Sequence, residues 1–282
     1  MSTGDGDGWV TCALGHRHWG IYGAAGLLLR TAEQIVLQHR APWSHHGDTW
    51  GLPGGARDSL ESAIDAAVRE AAEEAGIDGA DVLVTGVHVV DHGGWAYATV
   101  LAEPVAPVEP ASTSAESIEV RWHRIADVAD LPLHPGFAAS WPVLAPMWPA
   151  RVVIVDVANV VGSRPDGWWS DRIGATRRLY DDVSRWASAG LPADRLPGAG
   201  PASCLPRVGF VIEGAARDAP LRTDPRIEVV RAAGSGDDAI VDAVRRTPKA
   251  VVVTADRQLR DRVCALGAIV YGPRWLLDEL GR

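Results

Sequence analysis

The segment Gly55–Ile77 constrains the fold more than any other part of this sequence. It ends next to Gly76, a residue type that commonly terminates helices. Asp58 stands three residues before Glu61, the spacing of an N-terminal capping box, so we predict a helix that begins near Asp58 and runs to Gly76. Three carboxylates within it are spaced at i, i+3 and i+4 and therefore share one helical face: Glu70, Glu73 and Glu74.

Three carboxylates on one helical face repel one another unless a cation neutralises them. Oxygen ligands of this kind suit Mg²⁺ or Mn²⁺, and such an ion would in turn bind substrate phosphates. We expect four apolar residues to bury a different face of the helix: Ile64, Val68, Ala71 and Ala75. The alternative is a solvated acidic helix in which Arg69 pairs with Glu73, but the fixed spacing of the whole segment favours a metal site.

The full segment follows the pattern G-x5-E-x7-R-E-U-x-E-E-x-G-U, where U is an apolar residue. It resembles the Nudix box, with these residues in the fixed positions: Gly55, Glu61, Arg69, Glu70, Glu73, Glu74 and Gly76. The resemblance implies that Glu70, Glu73 and Glu74 hold the catalytic metal, that Arg69 orients one of them, and that Gly55 and Glu61 shape the loop. It also implies an enzyme that splits nucleoside-diphosphate-linked compounds.

Two flanking segments are similar to the same family. Trp50–Gly55 looks like the strand and turn that precede the box in MutT-like members, which makes Gly54 and Gly55 candidate substrate contacts. Glu116–Trp122 looks like the late strand that often supplies a further acidic ligand or base, either Glu116 or Glu119. The resemblance covers residues 20–148 and implies an α/β/α sandwich with a mixed sheet. We predict strands at Ala24–Leu29, Gln34–His39, Val82–Val90, Ala96–Leu101 and Glu119–His123, and a short helix at Phe137–Trp141.

The pattern changes after the proline-rich stretch Pro142–Pro149, which we interpret as the boundary between a domain at 1–148 and another at 151–282. In the second half strands alternate with helices, and runs such as Val251–Val253 are apolar on both faces. A three-layer α/β domain with a parallel sheet is expected. Its predicted strands are Arg151–Val155, Arg207–Ile212, Ile227–Arg231, Ala250–Val253 and Ala268–Tyr271, and its predicted helices are Arg172–Ala187, Asp237–Arg246 and Arg257–Leu266.

Acidic residues in this half fall at strand ends or helix starts: Asp156, Asp237, Asp238 and Asp256. The carboxyl ends of parallel strands meet at one edge of a sheet, so these groups should converge and bind a divalent cation. Val155–Asn159, Gly234–Asp238 and Thr254–Arg257 are similar to motifs of the PIN-like nucleases, in particular the NYN branch. Over residues 151–275 this resemblance implies a metal-dependent ribonuclease, with Asp156 and Asp256 catalytic.

Aromatic and basic residues follow Asp156 closely, and they include Trp168 and Arg172. Tryptophans that stack on bases, beside arginines that meet phosphates, would form a binding lip for single-stranded RNA. Burial of the tryptophans in an interface between domains is an equal alternative. The charge distribution allows different partners for the two halves, since the first 150 residues carry 7 arginines and 19 acidic residues, whereas the remainder carries 20 basic and 17 acidic residues.

Three scattered cysteines do not form a disulfide framework, and the polar start Met1–Gly8 is unlike a signal peptide. We expect a cytoplasmic protein without a membrane span. The motif C-x3-H-x-H at Cys12, His16 and His18 has the character of a metal site but lacks a clear fourth ligand, so a polar N-terminal strand is the favoured interpretation. Loop residues His45 and His46 are candidate phosphate contacts.

Our hypothesis from the sequence is a Mg²⁺- or Mn²⁺-dependent pyrophosphohydrolase that acts on a nucleotide substrate and is fused to a metal-dependent ribonuclease domain. The alternative is a regulator whose first domain senses a nucleotide and whose second domain binds RNA without cutting it.

Overall fold

The computed structural model describes residues 4–147, 151–164, 167–197, 200, 203–247 and 249–281. The chain folds into two compact units. The first unit comprises Met1–Pro149 with Gly200–Ser203, and the second comprises Ala150–Ala199 with Cys204–Arg282. Within the described ranges, no helix is both long enough and apolar enough to cross a lipid bilayer.

The first unit is built from short strands and two helices. The strands are β1 (Trp9–Thr11), β2 (Arg17–Trp19), β3 (Ala24–Leu29), β4 (Gln34–Arg40), β5 (Trp50–Gly51), β6 (Gly54–Ala56), β7 (Val82–Asp91), β8 (Ala96–Pro104) and β9 (Ser117–Arg124). The helices are α1 (Ala63–Ala75) and α2 (Pro135–Leu144), with 3-10 turns at Gly79–Asp81 and Ile125–Asp130.

The sheets of the first unit are mixed. Strands β7, β8, β3 and β6 lie side by side, with β3 parallel to β8 and the other neighbours antiparallel. Strands β5, β4 and β9 form an antiparallel sheet, and β1 and β2 form a separate hairpin. All residues of β3 are buried, since it is central to its sheet. This arrangement agrees with the mixed α/β fold predicted for the first half.

The second unit alternates strands with helices. Its strands are β10 (Val152–Asp156), β11 (Leu191–Pro192), β12 (Ser203–Cys204), β13 (Arg207–Ile212), β14 (Ile227–Arg231), β15 (Val251–Val253) and β16 (Ile269–Tyr271), β12 spanning the border between the units. Its helices are α3 (Val157–Gly162), α4 (Arg172–Ala189), α5 (Gly236–Arg246), α6 (Arg257–Cys264) and α7 (Pro273–Glu279). Three 3-10 turns connect them, at Trp168–Ser170, Ala193–Arg195 and Gly214–Asp218.

Five strands of the second unit form a parallel sheet in the order β14-β13-β10-β15-β16. Side chains alternate between its two faces, so Val153 and Val155 pack on one side with α4, whereas Ile154 packs on the other with α5 and α6. Both faces are therefore covered by helices, which explains why the central strands are apolar throughout. The predicted parallel sheet is present.

The structure corrects several predicted boundaries. Helix α1 begins at Ala63, not near Asp58, because Ser62 is its N-cap and accepts a hydrogen bond from the backbone of Asp65. Asp58 and Glu61 form a turn ahead of the helix, in which the backbone N–H of Asp58 donates to Glu61 Oε2 at 3.0 Å. The predicted boundary stretch Pro142–Pro149 enters α2 as far as Leu144, and its last two residues lie outside the described part of the chain.

Candidate functional site

Arg69 is the centre of the polar network on α1. Its guanidinium binds both carboxylate oxygens of Glu61, at 2.8 and 3.0 Å, and donates to Glu70 Oε1 at 2.8 Å. It also donates to the backbone carbonyl of Ala56 at 3.0 Å, and lies 3.7 Å from Glu73. The hydrogen bonds between Arg69 and Glu61 hold the pKa of Glu61 below its usual value, and they raise the pKa of Arg69. Arg69 thus fixes the loop before α1 and orients Glu70.

Glu74 is buried on the same face of α1 as Ala71 and Ala75, with 7% of its surface exposed. The prediction that Ile64, Val68, Ala71 and Ala75 together form the buried face is therefore wrong in detail. Ala71 and Ala75 are buried, but Ile64 and Val68 are only partly buried. The backbone N–H of Gly54 donates to Glu74 Oε2 at 3.0 Å. Burial raises the pKa of Glu74 to about 7, and repulsion by Glu70 also raises it. The hydrogen bond from Gly54 acts in the opposite direction and lowers this pKa.

Glu70 approaches the backbone of β6. A β-carbon on Gly55 would lie 2.5 Å from Glu70 Oε1, so only glycine leaves room for this carboxylate. Burial raises the pKa of Glu70; Arg69 opposes the shift, and repulsion by Glu73 reinforces it. The Glu73 side chain is 62% exposed. The helix thus presents one buried, one partly buried and one exposed carboxylate, a donor set suited to a divalent cation.

The two remaining acidic candidates of the first unit lie near β9. Glu116 is in the turn before the strand, and its carbonyl accepts a hydrogen bond from Ala41. Glu119 lies within β9, opposite His39 of β4, and its carboxylate is 3.3 Å from Arg121. Within the described part of the chain, neither residue forms a hydrogen bond or ion pair with Glu70 or Glu74, so the role assigned to Glu116 or Glu119 stays a prediction.

In the second unit, Asp156 lies at the end of β10, the position expected from the sequence, and it is nearly fully buried. It caps α3 by accepting from the Asn159 backbone at 3.1 Å, and it also accepts from the Asn159 side chain at 2.9 Å and from Thr254 Oγ1 at 2.8 Å. Burial raises the pKa of Asp156, and repulsion by Glu213 also raises it. The three hydrogen bonds lower this pKa and so oppose the shift.

The other predicted aspartates have different surroundings. Burial raises the pKa of Asp237, and repulsion by Asp256, Asp156 and Glu213 adds to the shift, so these four carboxylates share one electrostatic environment. Asp256 also caps α6 through the Leu259 N–H at 2.8 Å. Asp238 instead forms an ion pair with Arg262 at 2.5 Å, with most of its side chain exposed.

Glu213 follows β13 directly, and the sequence reasoning missed it. Its Oε2 accepts the N–H of Gly236 at the start of α5, at 2.6 Å. The strand-end rule that selected Asp156 applies equally to this residue and could have found it. The sequence reasoning also missed His92 and His134, which lie beside other histidines in the fold but far from them along the chain.

A pocket of about 180 Å³ lies in the second unit against α3, the helix that Asp156 caps. It is lined by the start of α3, the 3-10 turn after β13, and the two residues predicted to contact RNA, Trp168 and Arg172. The guanidinium of Arg172 lies over the Trp168 ring, 5.4 Å from its centroid. The pocket therefore combines an aromatic surface, a cation and the carboxylate of Glu213.

Comparisons with known proteins identify the first unit. The NUDIX domain profile matches residues 21–145. Over 149 residues the chain is 52% identical to a Mycobacterium tuberculosis protein named "Putative 8-oxo-dGTP diphosphatase 3", a match that covers 49% of this chain and 68% of that protein. It is 46% identical to part of a Bifidobacterium longum "Nucleoside triphosphate pyrophosphatase/Nudix hydrolase fusion protein", covering 50% of this chain and 31% of that protein.

Among solved structures, a Nudix hydrolase from M. smegmatis, RenU, is 50% identical and covers 50% of this chain and 93% of that one, with a TM-score of 0.47. The sequence identities, the profile match and the carboxylate helix at residues 63–75 agree. The chain therefore belongs to the Nudix family, and it is a pyrophosphohydrolase.

Proposed function

We propose that the first unit is a Mg²⁺-dependent hydrolase of nucleoside triphosphates and that its catalytic centre is the carboxylate face of α1. The observation that carries the proposal is that the buried Glu74 and the partly buried Glu70 both pack against the Gly54–Gly55 backbone, with Arg69 bound to Glu70.

The residues at this site fit a divalent metal. Burial raises the pKa of both Glu70 and Glu74, and repulsion by a neighbouring carboxylate adds to each shift, from Glu73 on Glu70 and from Glu70 on Glu74. The ionised forms are therefore unfavourable without a cation. Glu70, Glu73 and Glu74 would hold the ion through oxygen ligands. When bound, Mg²⁺ would neutralise charge on the phosphate oxygens and increase the acidity of a water molecule.

The chain's own residues supply position and proton transfer. Arg69 keeps Glu70 in place through its 2.8 Å contact, and Glu61 keeps Arg69 in place through two hydrogen bonds. Glu74 has a pKa of about 7 in the metal-free chain, and a bound cation would favour its ionised form, which can accept a proton from the attacking water. The water oxygen would bond to one phosphorus of the diphosphate while the bond from that phosphorus to the bridging oxygen breaks.

We propose an oxidised guanine nucleotide, 8-oxo-dGTP or a close analogue, as the substrate. The support is the 52% identity to the M. tuberculosis protein that carries the name of an 8-oxo-dGTP diphosphatase. The products would be a nucleoside monophosphate and pyrophosphate.

The test is a substrate screen with matched variants of the full chain. 8-oxo-dGTP, dGTP, a dinucleoside polyphosphate and a nucleotide sugar are compared for phosphate-product release with Mg²⁺, Mn²⁺ or no metal. Glu74→Gln and Glu73→Gln should lower kcat on the best substrate by about 10²–10⁴-fold. Glu33→Gln, which changes an exposed glutamate in the turn between β3 and β4, should leave it unchanged.

Full activity in Glu74→Gln would overturn the assignment of the catalytic centre. A preference for a dinucleoside polyphosphate or a nucleotide sugar would retain the centre but refute the proposed substrate.

For the second unit we propose a metal-dependent, PIN-like ribonuclease domain of the NYN type. Support comes from the buried Asp156, which shares its electrostatic environment with Asp237, Asp256 and Glu213 at the carboxyl edge of a parallel sheet. The adjoining pocket offers Trp168 for base stacking and Arg172 for phosphate. These carboxylates would hold Mg²⁺ or Mn²⁺, which would activate water for attack on a phosphodiester.

The rival proposal is an RNA-binding regulator, in which the same pocket binds a nucleotide base or RNA without cleavage. Both proposals use Trp168 and Arg172, whereas only the nuclease requires the carboxylates.

Cleavage of a fluorescent single-stranded RNA separates the two proposals. The full chain carries Glu74→Gln so that the first unit contributes no hydrolysis. Added Asp156→Asn or Asp237→Asn should abolish metal-dependent cleavage. Asp242→Asn, on the exposed side of α5 and paired with Arg245, should not. RNA binding without cleavage would support the regulator, and the absence of both would refute the two proposals together.

A further inference from the structure

Four side chains outside the carboxylate site converge in the first unit. Cys12 follows β1, His16 ends the turn of the hairpin, His18 lies in β2, and His92 lies in the turn between β7 and β8. One thiol sulfur and one nitrogen from each histidine all lie within 4.8 Å of one another. His92 is the fourth ligand that the C-x3-H-x-H motif lacks in the sequence.

We propose that Cys12, His16, His18 and His92 bind one zinc ion. A thiolate with three imidazoles is a donor set of the type found in four-coordinate zinc sites, whereas Mg²⁺ prefers oxygen. Zinc lies about 2.3 Å from sulfur and about 2.0–2.1 Å from nitrogen, so one sulfur and three nitrogens in a tetrahedron are about 3.3–3.6 Å apart. Because the ligand atoms lie within 4.8 Å of one another, a contraction of at most about 1.5 Å would complete the coordination.

Two of the four side chains have polar atoms that the protein leaves without a partner. His18 Nε2 and His92 Nδ1 are both buried and make no hydrogen bond. The rings are only 4.8 Å apart, centroid to centroid, and nearly perpendicular. Buried polar nitrogens are normally satisfied, and coordination to a metal would satisfy both at once.

The backbone around the cluster is already ordered by hydrogen bonds. The N–H of Cys12 donates to the His16 carbonyl at 3.0 Å, which closes the hairpin turn, and Gly15 takes a positive φ of 81° within it. The N–H of Ala13 donates to the Gly93 carbonyl at 2.8 Å, which links the hairpin to the turn that carries His92.

Trp95 supports the imidazoles. His18 stacks on its ring at 3.8 Å with an interplanar angle of 8°, while the indole N–H donates to the carbonyl of Gly20 at 3.0 Å. The ligands are therefore held by contacts that do not depend on the metal, as expected of a site that binds tightly.

A closed set of four protein ligands indicates a structural role. The ion would join the N-terminal hairpin to a turn more than 70 residues further along the chain, and thereby fix Trp9 of β1. The Trp9 ring packs edge-on against His45, 5.2 Å away, in the loop that precedes β5. The site is thus separate from the carboxylates of α1, and its test does not depend on hydrolysis.

The experiment measures metal in the full chain, purified without an affinity tag that binds metal. After dialysis, elemental analysis should find about one zinc per chain. His16→Ala changes an exposed ligand, and His92→Ala changes the ligand from the distant turn; each should reduce the content to below about 0.2 per chain. His46→Ala removes a residue of the other histidine cluster, formed with His45 and His134, and should leave the zinc in place.

Cobalt substitution identifies the thiolate. Co²⁺ added to the metal-free chain should give a thiolate-to-cobalt charge-transfer band with the intense d–d absorption of tetrahedral coordination. Cys12→Ser should abolish the charge-transfer band, whereas Cys264→Ser, which changes an exposed cysteine, should retain it. Circular dichroism confirms that each variant is folded.

Zinc content that is equal in wild type, His16→Ala and His92→Ala would overturn the proposal. So would a wild-type chain that takes up no zinc after exposure to the ion, or a cobalt band that persists in Cys12→Ser.

Discussion

At Gly55 the space that a β-carbon would need is occupied by the carboxylate of Glu70. A side chain there would push Glu70 away from Arg69 and disturb the carboxylate face on which the proposed metal site depends. The glycine is therefore explained by a close approach of two groups, because its own φ is not in the left-handed region.

We expect Gly55→Ala to lower kcat by about 10–100-fold with little loss of stability, because the displaced group is a proposed metal ligand and not a core side chain. Gly51→Ala is the matched control in the same segment, since its β-carbon would meet only the β-carbon of His134, at an ordinary 3.6 Å. Steady-state kinetics and thermal unfolding of both variants check this. Equal effects of the two substitutions would refute the steric explanation.

The metal-free chain should lose stability as the pH rises from about 4.5 to about 7 because of Glu74. Its pKa in the folded state is about 7, compared with a usual value of 4.5, so the folded state binds the proton more tightly than the unfolded state does. The contribution that favours folding is therefore present at low pH and lost as Glu74 ionises, and amounts to about 3 kcal/mol in total.

Urea unfolding in the presence of a chelator at several pH values measures this effect. Glu70, Arg40, Gln38 and the Gly54 backbone also act on the Glu74 carboxylate, and other groups titrate elsewhere. The informative quantity is therefore the difference between wild type and Glu74→Gln. Between pH 5 and pH 8 the free energy of unfolding of wild type should fall relative to that of Glu74→Gln. A difference between the two proteins that does not change with pH would contradict the raised pKa of Glu74.

At the scale of the element, α1 shows what local sequence patterns can determine. Gly76 has a φ of 64° and ends the helix as predicted, and the spacing of the glutamates places them as expected. The start of the helix differs because two residues, Asp58 and Ser62, offer equivalent capping side chains. The helix uses Ser62, which leaves Glu61 in the turn before it, where Glu61 accepts two hydrogen bonds from Arg69.

Loss of the cap on α1 should be measurable. Ser62→Ala removes the acceptor for the Asp65 N–H and should lower the free energy of unfolding by about 1 kcal/mol. Ser62→Asn should retain most of it, because asparagine caps helices comparably. Chemical denaturation of the metal-free chain compares the three proteins, and an equal loss in both variants would indicate that the cap contributes nothing.

Elements with strong apolar runs were predicted well. Strands β3, β13 and β14 have the bounds expected from the sequence, and β7, β8, β9 and α4 differ by up to a few residues at their ends. The elements without such a signal were missed, among them α3, α7 and the short strands β11 and β12. They are held by tertiary contacts, as when Asp156 ends β10 and caps α3 at once.

The candidate sites show the same limit. Glu70, Glu73 and Glu74 were predicted together because they lie within five residues of each other. His92 could not be assigned to the cysteine and histidine motif, because 74 residues separate it from His18. The two meet only in the folded chain, where the turn between β7 and β8 hydrogen-bonds to the N-terminal hairpin through Gly93 and Ala13. Sequence spacing identifies sites carried by one helix, but not sites assembled from distant turns.

At the scale of the whole molecule, the two compact units contain hydrophobic clusters of their own. One cluster of the first unit joins β3 and β4 to α2, whereas two clusters of the second unit cover the opposite faces of its parallel sheet. The proposed catalytic residues also divide in this way, since Glu70 and Glu74 belong to the first unit, and Asp156 and Asp237 to the second. Independent unfolding of the two units is the expected consequence.

Leu37→Ala and Leu179→Ala test this expectation, because each truncates a fully buried leucine in the clusters of one unit. Each cavity should cost about 2–5 kcal/mol, which lowers the Tm of the affected unit by roughly 5–15 °C. Scanning calorimetry of the full chain should show two transitions, with Leu37→Ala shifting one and Leu179→Ala the other. A Mg²⁺-bound, non-hydrolysable nucleotide analogue should raise only the transition that Leu37→Ala lowers. One shared transition, displaced by both substitutions and by the analogue, would show that the units unfold as a single cooperative structure.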